Sequence, residues 1–111
     1  MNMLKRLARK HPEEFELLDR NGTYTLWLKG AAYYFADWYE GYENSVYVNL
    51  FDYDDAKLNE ERKLKLRHTG SYKTVEDFGE LEKIAMEYVE KCRAITKRLM
   101  KERRIKMIEG L

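Results

Sequence analysis

The sequence is short of the residues that staple, break or commonly catalyse. Among its 111 residues it has one cysteine, one proline, six glycines and two histidines. A lone thiol, Cys92, can form no internal disulfide and no cysteine-based zinc site. So few prolines and glycines exclude linker-like or low-complexity sequence. No apolar run approaches the ~18 residues of a membrane-spanning helix, and the mean hydropathy is −0.75. There is no phosphate-binding glycine loop. An excess of one charge sign is also missing: 21 Lys+Arg meet 20 Asp+Glu, a net charge of +1, which argues against a polycation or an acidic disordered tail. What is plentiful is hydrophobic residues at 44%, charged residues at 37% and aromatics at 14%. This composition suits one compact soluble domain over residues 1–111 with a heavily charged surface.

The balanced total hides segregation. The first ten residues are basic, with Lys5, Arg6, Arg9 and Lys10 and no acid. No apolar stretch follows them, as a secretory signal requires, and Glu13, Glu14 and Glu16 come too soon for an acid-poor transit peptide. The expectation is a cytoplasmic protein. Residues 31–61 hold eight acids and one lysine, whereas 62–73 hold five bases and no acid; residues 74–90 are acidic and 91–111 strongly basic. Such blocks set up local potentials on a nearly neutral molecule.

Leu4, Leu7, Ala8, His11, Phe15 and Leu18 have helical spacing, interrupted by Pro12, which predicts a kinked helix or two short ones. Asn21-Gly22 supplies left-handed conformations to end it. Alternation then predicts strands over Thr23–Lys29, Ala32–Tyr39 and Ser45–Tyr53, with a turn at Gly41-Tyr42-Glu43-Asn44. The polar stretch Asp52–Glu61 reads as a loop, and Arg62–His68 as a fourth strand ended by Thr69-Gly70-Ser71. Phe78, Leu81, Ala85, Tyr88, Cys92, Ile95 and Leu99 form a continuous seam within a long helix over 74–108. Thr74 and Asp77 suggest a capping box. Acids early in this helix and bases late complement its dipole. At ~50 Å it overshoots a domain whose expected radius of gyration is ~13 Å. Past Leu99 a second stripe of Met100, Arg104, Met107, Ile108 and Leu111 predicts a tail that packs on the first helix, a second copy or another protein. The fold expected is two-layer α+β: a helical N-terminus, a three- to four-stranded antiparallel meander, and a long C-terminal helix on one face.

Catalytic chemistry finds little support. Cys92 lies on the apolar helix seam, where cysteine acts as a small hydrophobe, and His11 and His68 belong to different elements. Asp52, Asp54 and Asp55 followed by Glu61-Arg62-Lys63 resembles the acid and Glu-x-Lys pattern of PD-(D/E)xK nucleases. That resemblance implies a divalent metal held by two carboxylates. No proline precedes the aspartate, and apolar strand residues do not flank Glu-x-Lys. No catalytic residue, metal or other cofactor is assigned, and a metal-dependent nuclease stays the remote reading.

The strands carry the better signal. One predicted face gathers Tyr24, Leu26, Leu28, Tyr34, Ala36, Trp38, Val46, Val48 and Leu50. The other gathers Trp27, Tyr33, Phe35, Tyr39, Tyr47, Phe51 and Tyr53, with Lys29, Lys63, Lys65 and Arg67 at its margins. Aromatics interleaved with Asp37, Glu40 and Glu43 suit a basic protein surface better than a phosphate backbone. The expected function is therefore a non-enzymatic interaction or regulatory protein. One candidate surface comprises Trp38, Tyr39, Glu40, Tyr42, Glu43, Tyr47, Phe51 and Tyr53. The other is the helix end with Lys97, Arg98, Lys101, Arg103, Arg104 and Lys106. That second surface also supports the alternative, nucleic-acid binding, with sheet aromatics stacking bases. Small charged domains without catalytic motifs are common among accessory and inhibitory proteins of phages and mobile elements, an association that rests on no residue here. Self-association, as a homodimer, is the remaining partner expectation.

Overall fold

The computed structural model describes residues 2–41 and 44–109, with side chains through Ile105. The chain order is α1 (Met3–Lys10), β1 (Phe15–Arg20), β2 (Thr23–Leu28), β3 (Ala36–Tyr39), β4 (Val46–Leu58), β5 (Leu64–Val75) and α2 (Phe78–Glu109). All neighbouring strands are antiparallel, in the order β1-β2-β3-β4-β5. This is the α+β meander with a long C-terminal helix that the sequence predicts, enlarged to five strands.

One face of the sheet packs under the helices. Leu26, Ala36, Val46, Val48 and Val75 are buried on it, and α1 adds Leu4 and Leu7. From α2 come Leu81, Ala85, Tyr88, Val89 and Cys92, with Phe78, Ile95 and Leu99 partly buried against the same core. The predicted seam is therefore the packing stripe, each buried Leu or Val contributing roughly 1.5–3 kcal/mol. Helix α1 is capped by Asn2, whose side chain accepts from the Lys5 N–H at 2.8 Å.

Several expectations need correction. The first is the N-terminal stripe, which does not continue as helix past Lys10. Pro12 disfavours helix at His11, and Phe15–Arg20 forms an edge strand paired from Phe15↔Leu28 to Arg20↔Thr23. Asn21 and Gly22, with φ of 52° and 85°, do not end a helix; they are the two-residue turn of the β1–β2 hairpin. Positive φ at both positions is what a type I′ turn requires. Only Ala36–Tyr39 of the expected third strand is paired as strand. Ala31 and Ala32 instead meet β5, where Ala31 bridges Leu64 in parallel and the Ala32 N–H donates to the Leu64 carbonyl.

Asp52–Glu61 is not a loop, since β4 runs on to Leu58, and β5 passes through Thr69-Gly70-Ser71 to Val75. Two register shifts accommodate the mismatch, between Asn49 and Phe51 and between Asp52 and Ala56. Gly70, at φ +84°, lies in the first, as expected for a bulge. Thr74 belongs to β5, so no capping box forms; the Asp77 carboxylate accepts from the Glu80 N–H at 2.9 Å and caps α2 by itself.

Helix α2 continues unbroken to Glu109 and does not fold back. At 32 residues it is roughly 48 Å long, and it draws the molecule out to 56 × 25 × 25 Å. Met100 and Ile105 beyond the seam are exposed. The rest of the second stripe, Met107, Ile108 and Leu111, lies outside the described side chains. Tyr42 and Glu43 of the expected turn lie outside the described residues.

Candidate functional site

The outer face of the sheet carries a concavity of about 540 Å³ lined by Tyr33, Tyr34, Asp37, Tyr39, Tyr47, Asn49, His68 and Tyr72. Strand alternation puts these residues there. Ala36 pairs with Leu26 and Val48 on the core side, so its neighbour Asp37 faces out in a row with Thr25 and Tyr47, extended by Thr74 across β5. Asn49 and Tyr72 form the next outward pair. The 33–34 segment supplies two more rings, stacked at 4.8 Å, and Trp27 abuts Tyr34 at 5.9 Å. Tyr47 meets Tyr72 edge-on at 5.1 Å. Tyr33, Tyr39 and Tyr72 are 39%, 40% and 60% exposed, so large aromatic surface faces outward.

Asp37 is the exception, at 7% exposed the one buried charged side chain among the described residues. Its Oδ2 accepts from the Tyr39 hydroxyl at 3.0 Å, and Tyr34 lines the same concavity beside it. Burial pushes the Asp37 carboxyl above the ordinary carboxylate value, and the neighbouring Tyr39 and Tyr34 phenols oppose that shift. The phenols respond in kind: burial and the Asp37 charge push Tyr34 up to about 12, and the bond to Asp37 raises Tyr39. Asn49 fixes the 33–34 segment by donating to the Tyr34 carbonyl at 3.0 Å. At the rim, His68 Nδ1 accepts from the Gly70 N–H at 2.8 Å. The ring proton therefore sits on Nε2, which is buried without a partner.

Of the sheet residues singled out from sequence, Tyr39 and Tyr47 line this concavity, and Glu40 lies exposed just past β3. Trp38, Phe51 and Tyr53 do not. Trp38 packs on Tyr24 at 5.3 Å with its indole N–H buried and unpaired. The register shift after Asn49 reverses the alternation: Leu50 turns outward, 42% exposed, while Phe51 stacks on Tyr88 of α2 at 5.8 Å. Tyr53 is partly buried against the core beneath Lys91. Phe35, expected outside, is core, stacked on Tyr88 at 4.7 Å. Sequence reasoning missed Tyr34 as an outward residue, and it did not single out Asn49, Tyr72 and His68 as its neighbours. Their signal was the outward parity of β4 carried across to β5, visible only once the strands are paired.

A second concavity, about 730 Å³, lies between the far half of α2 and the β2 and β5 ends. Lys29, Arg62, Arg93, Lys97, Lys101 and Arg104 line it, opposed by Glu13 and Glu14. Arg93 pairs with Glu14 at 3.1 Å, and Lys29 donates to the Pro12 carbonyl at 2.8 Å. Thus Lys97, Lys101 and Arg104 of the predicted basic surface come together here. Arg98 turns to Glu102 at 3.9 Å, and Arg103 lines a shallow hollow beside β4. The Lys106 side chain lies outside the described residues.

The acid cluster does not gather. Asp52 and Asp55 both face Arg67, at 2.9 and 3.5 Å, which holds the Asp52 carboxyl below its usual value. Glu61 lies across the β4–β5 turn, 3.5 Å from Lys63. Among the described residues, no three His, Cys, Asp or Glu side chains are placed to hold a metal ion. No helix among the described residues is long and apolar enough to cross a membrane. No family model, no curated protein and no solved structure matches the chain.

Proposed function

We propose that this is an interaction protein that binds a protein partner through the tyrosine-lined outer face of its sheet. The observation that carries this reading is the set of exposed rings of Tyr33, Tyr39 and Tyr72, with half-buried Tyr47 between them, around one concavity. Tyrosines lose little entropy on binding and present both apolar area and a hydroxyl. The buried acid beneath them disfavours a phosphate backbone on the same face. The test is capture from a lysate of the source organism, treated with nuclease, by wild type and by a Tyr47→Ser/Tyr72→Ser double variant. A protein retained by the first and lost by the second supports the reading; equal retention overturns it.

A second reading, nucleic-acid binding, is favoured by the basic groove, where Lys97, Lys101 and Arg104 have no ion-pair partner among the described residues. Under it, affinity for an oligonucleotide falls steeply with salt. Charge reversal at these three positions then lowers the slope by about 0.7 for each single-strand phosphate that is no longer neutralised.

A further inference from the structure

We propose that the concavity around Asp37 receives a cationic side chain, an arginine or lysine presented by a protein partner. The inference rests on the reading of the tyrosine face given above and adds the chemistry of what enters it. A buried carboxylate is costly unless it is paired. The chain has 21 lysines and arginines, yet none lines this concavity, whose walls are phenols, an amide and an imidazole. The Tyr39 phenol bond to Asp37 does not require its charge, because an amide carbonyl could accept it equally. The charge thus has no counterpart within the described residues.

The walls supply the rest of the complementarity. Aromatic faces attract cations, more strongly once water is excluded, and arginine also stacks on them. Tyr33 and Tyr34 stack in parallel on one side, while Tyr39, Tyr47 and Tyr72 stand tilted or edge-on to one another on the other. Between them lies about 540 Å³ open to the outside, room for an extended side chain entering from a partner's surface. Phosphates and carboxylates are repelled by the acid, and an apolar side chain would strand it without water.

The test is an aromatic-resonance NMR titration of the full chain with N-acetyl-arginine amide. N-acetyl-citrulline amide serves as the uncharged probe of the same shape. The expected result is saturable shifts of the Tyr33, Tyr39, Tyr47 and Tyr72 rings, with a dissociation constant on the order of 1–10 mM for a single anchor, and no saturation by citrulline. Asp37→Asn should weaken arginine binding at least tenfold. Should that variant not fold, Tyr72→Ser, at an exposed position, should weaken binding several-fold instead. No saturable response, an equal response to citrulline, or undiminished binding by the variant overturns the proposal. Shifts that follow the protein's own concentration would place the basic tail of a second copy in the pocket and overturn it too. If Asp37→Asn keeps the captured partner while the tyrosine variant loses it, the cation inference alone fails. If neither variant loses it, the tyrosine-face reading itself falls.

Discussion

Asp37 and Glu82 show how place in the fold, rather than residue type, sets the sign of a carboxylate's effect on stability. Burial holds the Asp37 proton to a higher pH than in the unfolded chain. The folded state therefore binds more protons across that window, and stability falls as pH rises through the folded value. Asp37→Asn should raise the melting temperature at neutral pH by a few degrees and flatten this slope, read by thermal melts between about pH 4 and 7. A lower melting temperature would mean that the carboxylate is a net support of the sheet. Cys92 is simpler: burial pushes its thiol up to about 11, in keeping with the small-hydrophobe role its seam position predicts.

Among the elements, local chemistry is clearest where a side chain satisfies the backbone directly. Asp77 is the N-cap of α2 through its 2.9 Å bond to the Glu80 N–H. Asp77→Ala should cost about 1 kcal/mol, measured by urea unfolding, whereas Thr74→Ala, in the strand before it, should lose no cap. The β4–β5 turn follows the same logic, with Asn59 Oδ1 accepting from the Glu61 and Lys63 N–H groups at 3.0 and 2.9 Å. Alternation is less secure evidence, because one register shift reverses it. Leu50 and Phe51 exchange faces at such a shift, which is why two of the aromatic residues expected on the outer face, Phe51 and Tyr53, are packed toward the core.

At the scale of the molecule, the two helices are tied together by charge. Glu82 on α2 accepts from Lys10 at 2.8 Å and from His11 at 2.9 Å at the end of α1. These partners hold its carboxyl below the usual value. Its contribution is therefore present at neutral pH and lost as pH falls through the folded value, the opposite of Asp37. Glu82→Gln should remove that acid-side loss, visible as a smaller drop in melting temperature on acidification; an unchanged drop would show that the ion pair is fully screened. The same scale explains the elongated shape. Half of α2 lies on the sheet, and the basic remainder extends past it, carrying Lys97, Lys101 and Arg104 to the groove beside β2.

The sequence by itself determined the strand cores, the seam of α2, the absence of a disulfide and the concentration of tyrosine and acid in the strands. Each of these is local: a period of two or of 3.6, or a residue type without a partner. Only the tertiary structure decided that Phe15–Arg20 is an edge strand, because its apolar spacing fits helix and strand alike until β2 lies alongside. It also decided which aromatics face outward, since that depends on two register shifts between β4 and β5. Above all, it decided that Asp37 is the buried charge beneath the tyrosines. In sequence it is one acid among 20 Asp+Glu, and its burial arises only when segments 33–34, β3, β4 and β5 close around it.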